Sequence, residues 1–239
     1  MKSNFIVWTF LLLMISSIQA TAATEEKSVA TLDRFDGLVK VMPKGSLRRS
    51  KAEAQHKLYS GDMVLSYRGA HALIILNDGS KVVLDESASI RFSMDEVNQE
   101  SGVVYYEIHH RNAKHGLTVK TEFAIIGIKG TTFIVNANDK SESVALQEGK
   151  IEVASPTVAY RLYRDKVMAD FEAYKSKQNQ GFEAYKNRQN EKIESHVKAF
   201  EMQAGKVVNF KGTTVDESDF NAHVTADFER FKRIQASLH

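Results

Sequence analysis

Between Leu32 and Ser155 the apolar residues fall in short runs rich in Val and Ile, broken by Gly, Asn, Asp and Ser. Such punctuation predicts an all-β domain. The runs at 73–76 and 123–126 are continuous rather than alternating, which predicts strands buried on both faces. Asn77-Asp78-Gly79-Ser80 separates 73–76 from Val82-Val83-Leu84. This predicts a tight hairpin, because Asp and Gly accept the positive φ that such turns need.

At Pro156 the pattern changes to helical period. Apolar or aromatic residues recur at Tyr160, Tyr163, Val167, Phe171, Tyr174, Phe182, Tyr185, Ile193, Val197 and Phe200. Phe171-Glu172-Ala173-Tyr174-Lys175 returns eleven residues later as Phe182-Glu183-Ala184-Tyr185-Lys186. An eleven-residue repeat keeps a stripe nearly straight along a helix, so the reading is one long hendecad helix over 157–203, coiled-coil-like. At ~1.5 Å per residue it would extend ~70 Å, past a β-domain ~35 to 40 Å across. The excess predicts packing against a partner protein or a second copy, through Phe171, Tyr174, Phe182, Tyr185 and Ile193. Residues 204–213 return to strand chemistry, and 214–239 read as an amphipathic helix with Phe220, Val224, Phe231 and Ile234 on one face. The expected fold class is therefore α+β. An all-β domain over 28–156, a two-layer sandwich or a short β-solenoid, carries a long inserted helix and a C-terminal helix.

The first residues change the picture of where the chain acts. Lys2 precedes an apolar stretch from Phe5 to Ile15, and Ser16-Ser17-Ile18-Gln19-Ala20-Thr21-Ala22 follows. A basic start, a short apolar core and a small-x-small ending make a secretory signal peptide over 1–22. The stretch is short of the ~20 residues that span a bilayer, so the mature chain is expected to be periplasmic or secreted, with no stable membrane anchor. The 239 residues include no cysteine, which removes disulfides, thiolate metal sites and lipid attachment at cysteine. A net charge of +2 with both signs interspersed offers no field for nucleic acid.

Candidate chemistry is sparse. Gly127-Ile128-Lys129-Gly130-Thr131-Thr132 has the glycines of a phosphate loop, but Phe133-Ile134-Val135 follows where a helix would be needed, so it reads as a turn between strands. Asp78 stands in no regular series of carboxylates, unlike a calcium loop. His109, His110 and His115 cluster around Arg111 and Lys114, cations that repel a metal, and the adjacent pair would point to opposite faces of a strand. There is no Gly-x-Ser-x-Gly elbow and no His-Glu-x-x-His. No catalytic residue, cofactor or metal is expected, and the chain reads as a non-enzyme.

Taken in order, Leu117-Thr118-Val119-Lys120-Thr121, Ala124, Gly130-Thr131 and Phe133-Ile134-Val135, then residues 144–146 and 148–153, resemble the FecR domain family. They look like its threonine-ended strand, its Gly-Thr turn and its closing hairpin. Residues 204–212 are similar to the segment that follows. The resemblance implies a β-rich module exposed to the periplasm or cell surface, in some members the sensing part of a regulator of iron-siderophore transport. The regulators of that family carry a cytoplasmic sigma-factor-binding segment ahead of a membrane span, whereas residues 1–4 alone precede the apolar stretch here. The first functional expectation is thus a periplasmic protein-binding or scaffold module acting through its helical arm. The alternative is a sensor or relay that contacts an outer-membrane transporter or a membrane regulator. Intact-mass spectrometry of the exported protein is expected to give a chain beginning at Ala23; a mass that retains residues 1–22 contradicts cleavage.

Overall fold

Inward positions repeat every second residue along most of the chain, and strands follow from that period. The computed structural model describes residues 27–109, 116–165 and 192–238. The expected leader over 1–22, the residues His110 and His115, and the repeat at 171–186 lie outside them. The chain forms β1 (Ala30–Asp36), β2 (Val39–Met42), β3 (Ser50–Lys51), β4 (His56–Leu58), β5 (Met63–Ser66), β6 (His71–Leu76), β7 (Lys81–Leu84), β8 (Ser89–Phe92) and the long β9 (Glu96–Ile108). It continues with β10 (Leu117–Lys120), β11 (Ile125–Ile128), β12 (Thr131–Ala137), β13 (Ser143–Glu148), β14 (Lys150–Ala154), β15 (Tyr160–Asp165), β16 (Lys192–Val197), β17 (Ala199–Gln203), β18 (Lys206–Lys211) and β19 (Thr214–Asp219). One helix, α1 (Ala222–Ser237), closes the described chain.

The strands lie in two layers. The first sheet runs β4-β1-β6-β7-β9-β12-β13-β18-β19-β15-β16. The second runs β3-β2-β5-β8-β9-β10-β11-β14-β17. The chain changes layer repeatedly, at β1 to β2, β5 to β6, β7 to β8, β11 to β12, β13 to β14 and β17 to β18 among other places, so hairpins of the two layers enclose one core. Leu32, Ile74, Ile90, Tyr106, Val119, Phe133 and Val153 fill that core.

One strand belongs to both layers. The first part of β9 pairs with β8 and β10, and its remainder from Gly102 pairs with β7 and β12. Gly102 sits at the crossing with φ +84, where an added Cβ would lie 2.4 Å from Ala88 Cα. Gln99, 1 % exposed, secures the corner. Its Nε2 donates to the carbonyls of Gly102 (2.9 Å) and Val135 (3.1 Å), and its Oε1 accepts from the Tyr106 hydroxyl at 2.9 Å. A buried amide with those bonds made is tolerated; stripped of them, each orphaned partner would cost about 1 to 3 kcal/mol.

A second apolar layer explains the continuous run at 73–76, whereas the run at 123–126 is corrected: Phe123, Ala124 and Ile126 are buried in the one core, and β11 is open on its outer face. Leu73, Val83, Tyr105, Ile134, Ala145 and Val207 face away from the core between the sheets and pack under Phe228, Phe231 and Leu238 of the C-terminal segment. Leu73 and Ile74 are thus buried on opposite faces of one strand. The 77–80 hairpin forms as the sequence predicts, with Gly79 at φ +82 and the Ser80 N–H donating to Asp78 Oδ1 at 3.0 Å.

The expected α+β class with a long inserted helix is corrected. Both ends of the 157–203 segment are strands: β15 pairs antiparallel with β16 and parallel with β19, and β17 pairs with β14. Tyr160 and Leu162 are buried two residues apart, a strand period that the Tyr160, Tyr163 spacing disguises as helical. The Tyr160 hydroxyl donates to the carbonyls of Phe123 (2.6 Å) and Ala154 (3.1 Å). The terminal helix also starts later than expected, since Thr214–Asp219 is β19; its first turn is capped at Asn221, whose side chain accepts from the Val224 N–H.

Gly102→Ala is expected to destabilise the protein by about 2 to 5 kcal/mol, combining left-handed backbone strain with overpacking against Ala88. Urea unfolding measures it, and a loss below 1 kcal/mol would remove Gly102 from this role.

Candidate interaction surface

The helix is fixed to the first sheet by aromatic packing. Phe231 stacks on Tyr105 at 5.6 Å between centroids, Phe228 meets the same ring edge-on at 6.2 Å, and Phe220 stacks on Phe228 at 5.5 Å. Ion pairs lock its flank. Arg230 binds Asp85 through both terminal nitrogens, at 3.0 and 2.6 Å, and Asp85 is 7 % exposed. His71 bridges onward, with Nε2 3.3 Å from Asp85 Oδ1 and Nδ1 3.1 Å from Asp36 Oδ1. Arg34 donates to the Leu238 carbonyl at 2.8 Å. The hydrogen bond from Arg230 to Asp85 raises the guanidinium further above its already high pKa. The Asp36–His71–Asp85 series has the residue types of a catalytic relay, but no hydroxyl or thiol bonds to His71 among the described residues, and both its ring nitrogens face carboxylates. Its work is to hold the helix.

The opposite side of the molecule, the outer face of the second sheet, is open. Register places Glu96, Thr118, Gly127, Glu152 and Glu201 in one row across β9, β10, β11, β14 and β17. A trough of about 690 Å³ lies along these strands, lined by Thr118, Gly127, Lys150, Glu152, Phe200 and Glu201 among others. Gly127 keeps the middle of the row low: a Cβ built there meets nothing closer than 4.0 Å. Glu152 and Glu201 stand directly opposite each other, a like-charge pair that disfavours the ladder. Lys150 relieves one of them, donating to Glu201 Oε1 at 2.9 Å and holding that carboxyl below the usual range. Gln203 also donates to Glu201. The row thus presents carboxylate oxygens, a threonine hydroxyl and an open glycine, suited to polar contacts with an extended chain.

Among the described residues the other titratable groups add no reactive centre. Burial, then Glu122 and Asp139, raises the Glu142 carboxyl above its usual range. Burial pushes the Tyr106 and Tyr160 phenols well above theirs. Among the described residues no group of three or more His, Asp or Glu is placed to hold a metal ion. His109 is exposed, and its N–H donates to Ser80 Oγ at 3.0 Å.

Of the residues expected to carry interaction, Phe171, Tyr174, Phe182 and Tyr185 lie outside the described residues. Ile193 lies on β16 opposite Arg164 rather than on a helix. The trough residues were missed. Their signal is the alternation Lys150, Glu152 and Glu201, Gln203 on two strands, with Gly127 inside an otherwise apolar run.

Residues 62–152 match the family model described as FecR protein, which bears out the resemblance over that segment. The match begins just before β5 and ends within β14, and it contains the whole of β9, β10 and β11. Two crystal structures, at 1.65 and 2.50 Å, of a "putative anti-sigma factor" from Parabacteroides distasonis ATCC 8503 are similar, at 15% identity and a TM-score of 0.47 over 70% of this chain. The chain covers 64% and 63% of them, less than two thirds of their length. No curated protein matches the chain.

Burial under the helix, followed by the charges of Glu107, Glu148 and Glu229, raises the Tyr105 phenol from 10.0 to about 12. Above pH 10 the unfolded chain releases this proton and the folded one keeps it, so stability falls as pH rises toward 12. With solvent screening part of the shift, the Tyr105 share is about 1 to 2 kcal/mol. In urea unfolding at pH 9 and pH 12, Tyr105→Phe is expected to lose less stability than the wild type by that amount; equal losses would contradict it.

Proposed function

We propose that this chain is an exported, non-catalytic module of the FecR type that binds a protein and serves in signal regulation. The observation that carries the reading is the FecR match over residues 62–152. That segment supplies the crossing strand β9 and also β10, β11 and the start of β14, whose exposed row makes the trough. Export rests on the leader-like residues 1–22, and the periplasm or the cell surface is the place proposed for action. The trough, rather than a helical arm, is the proposed contact, since its row of Thr118, Gly127 and Glu152 lies on strands of the matched segment. An extended segment of a transporter or membrane regulator laid along β10, β11 and β14 would use its backbone N–H groups on Glu152 and Glu201 and pass over Gly127.

Gly127→Arg fills the trough without touching the core, because its Cβ has room. With a photocrosslinking side chain at Thr118 in cells, the expected result is a discrete protein adduct that Gly127→Arg abolishes while the unfolding midpoint stays unchanged. The absence of any adduct, or an adduct that survives Gly127→Arg, would overturn the proposal.

A further inference from the structure

We propose that the hairpin of β2 and β3 is a finger that docks the protein on an anionic lipid surface. Residues 39–51 contain Lys40, Lys44, Arg48, Arg49 and Lys51 and no acidic residue. They lie outside the segment that matches the family model, and this inference does not rest on the trough.

Among the described residues none of these basic side chains is held in an ion pair. Lys40 stands directly opposite Lys51 in the ladder, an arrangement that disfavours strand pairing. Cations here turn instead to Tyr67: Lys40 Nζ lies 5.3 Å from the ring centroid, and Arg49 donates to the Tyr67 hydroxyl at 3.4 Å. Asp62 is 6 % exposed, and its oxygens accept the N–H groups of Lys44 (3.0 Å) and Tyr59 (2.9 Å); the exposed Glu53 follows Lys51 by two residues. Asp95, on the turn beyond β8, is exposed.

At the tip stands Leu47, 98 % exposed. Its presentation is built rather than loose. Ser46 N–H donates to the Pro43 carbonyl at 3.0 Å and Arg48 N–H to Ser46 Oγ at 3.0 Å, with Gly45 at φ +72. Asp62 and the bond from Gly61 N–H to the Phe92 carbonyl tie this turn to its two neighbours, which present Tyr59 and Met94, the latter 78 % exposed. An apolar point flanked by Lys44, Arg48 and Arg49 matches the boundary of a bilayer, where the leucine enters the acyl margin and the cations stay with phosphate groups. A stable protein interface needs a broad patch of about 800 Å² on each partner, which a projecting turn does not offer.

The test is flotation of the exported protein with phosphatidylcholine vesicles, with and without phosphatidylglycerol, comparing wild type, Leu47→Ser and the double change Arg48→Glu, Arg49→Glu. These side chains are exposed, so all three proteins are expected to unfold at the same urea concentration. The expected result is binding that depends on phosphatidylglycerol, weakened about tenfold by Leu47→Ser. The double change should weaken it about 25-fold or more, at about fivefold for each cation lost. Absence of binding, or binding that neither variant weakens, overturns the proposal. Loss with the double change alone, Leu47→Ser binding as wild type, overturns the insertion of Leu47 and leaves a contact made by charge only.

Discussion

The fold depends on a strand that has to leave one sheet and enter another without breaking its hydrogen bonds. At Gly102 the chain takes a left-handed step against Ala88, in a space that admits no side chain. Gln99 then braces the step from inside the apolar interior, donating to the carbonyls of Gly102 and Val135. Neither device suffices alone. A glycine without the glutamine takes from the buried Tyr106 hydroxyl the acceptor it uses, and the glutamine without the glycine has no turn to brace. Because β9 pairs with strands in both layers, the two sheets share one hydrogen-bonded spine and cannot slide independently. The trough on one side and the helix seat on the other are therefore held in fixed relation.

The helix seat shows how apolar packing and charge divide the work. Tyr105, Phe228 and Phe231 supply the area removed from water, which has little directional content. The fork of Arg230 on Asp85 supplies direction, and His71 and Asp36 extend it to β6 and the end of β1. A helix seated by rings alone could rotate to other registers on the same face, and the buried carboxylate of Asp85 allows one.

Much of the β-domain was legible because its strands are short and its turns carry their own chemistry. Asp78-Gly79 specified a hairpin from two residues, and the double burial of 73–76 followed from the absence of polar alternation. The helical reading of 157–203 failed at its ends for a specific reason. Tyr160, Tyr163, Val197 and Phe200 fit a period of three to four, but Tyr160 and Leu162 also fit a period of two, and pairing with β19, supplied by residues far along the chain, selects the strand. Arg230 and Asp85 are 145 residues apart, and no local period announces such a contact. The trough was hidden likewise, since Thr118, Gly127, Glu152 and Glu201 become neighbours only through the register of β10, β11, β14 and β17.

The seating of the helix also sets an order of events during synthesis. Leu73, Val83 and Tyr105 have no cover until Phe228, Phe231 and Leu238 have been made, and Arg34, near the start of the described chain, waits for the Leu238 carbonyl. A nascent chain that has emerged only as far as β19 therefore carries a sheet with one greasy face. Such a chain cannot cover that face until the helix has followed it.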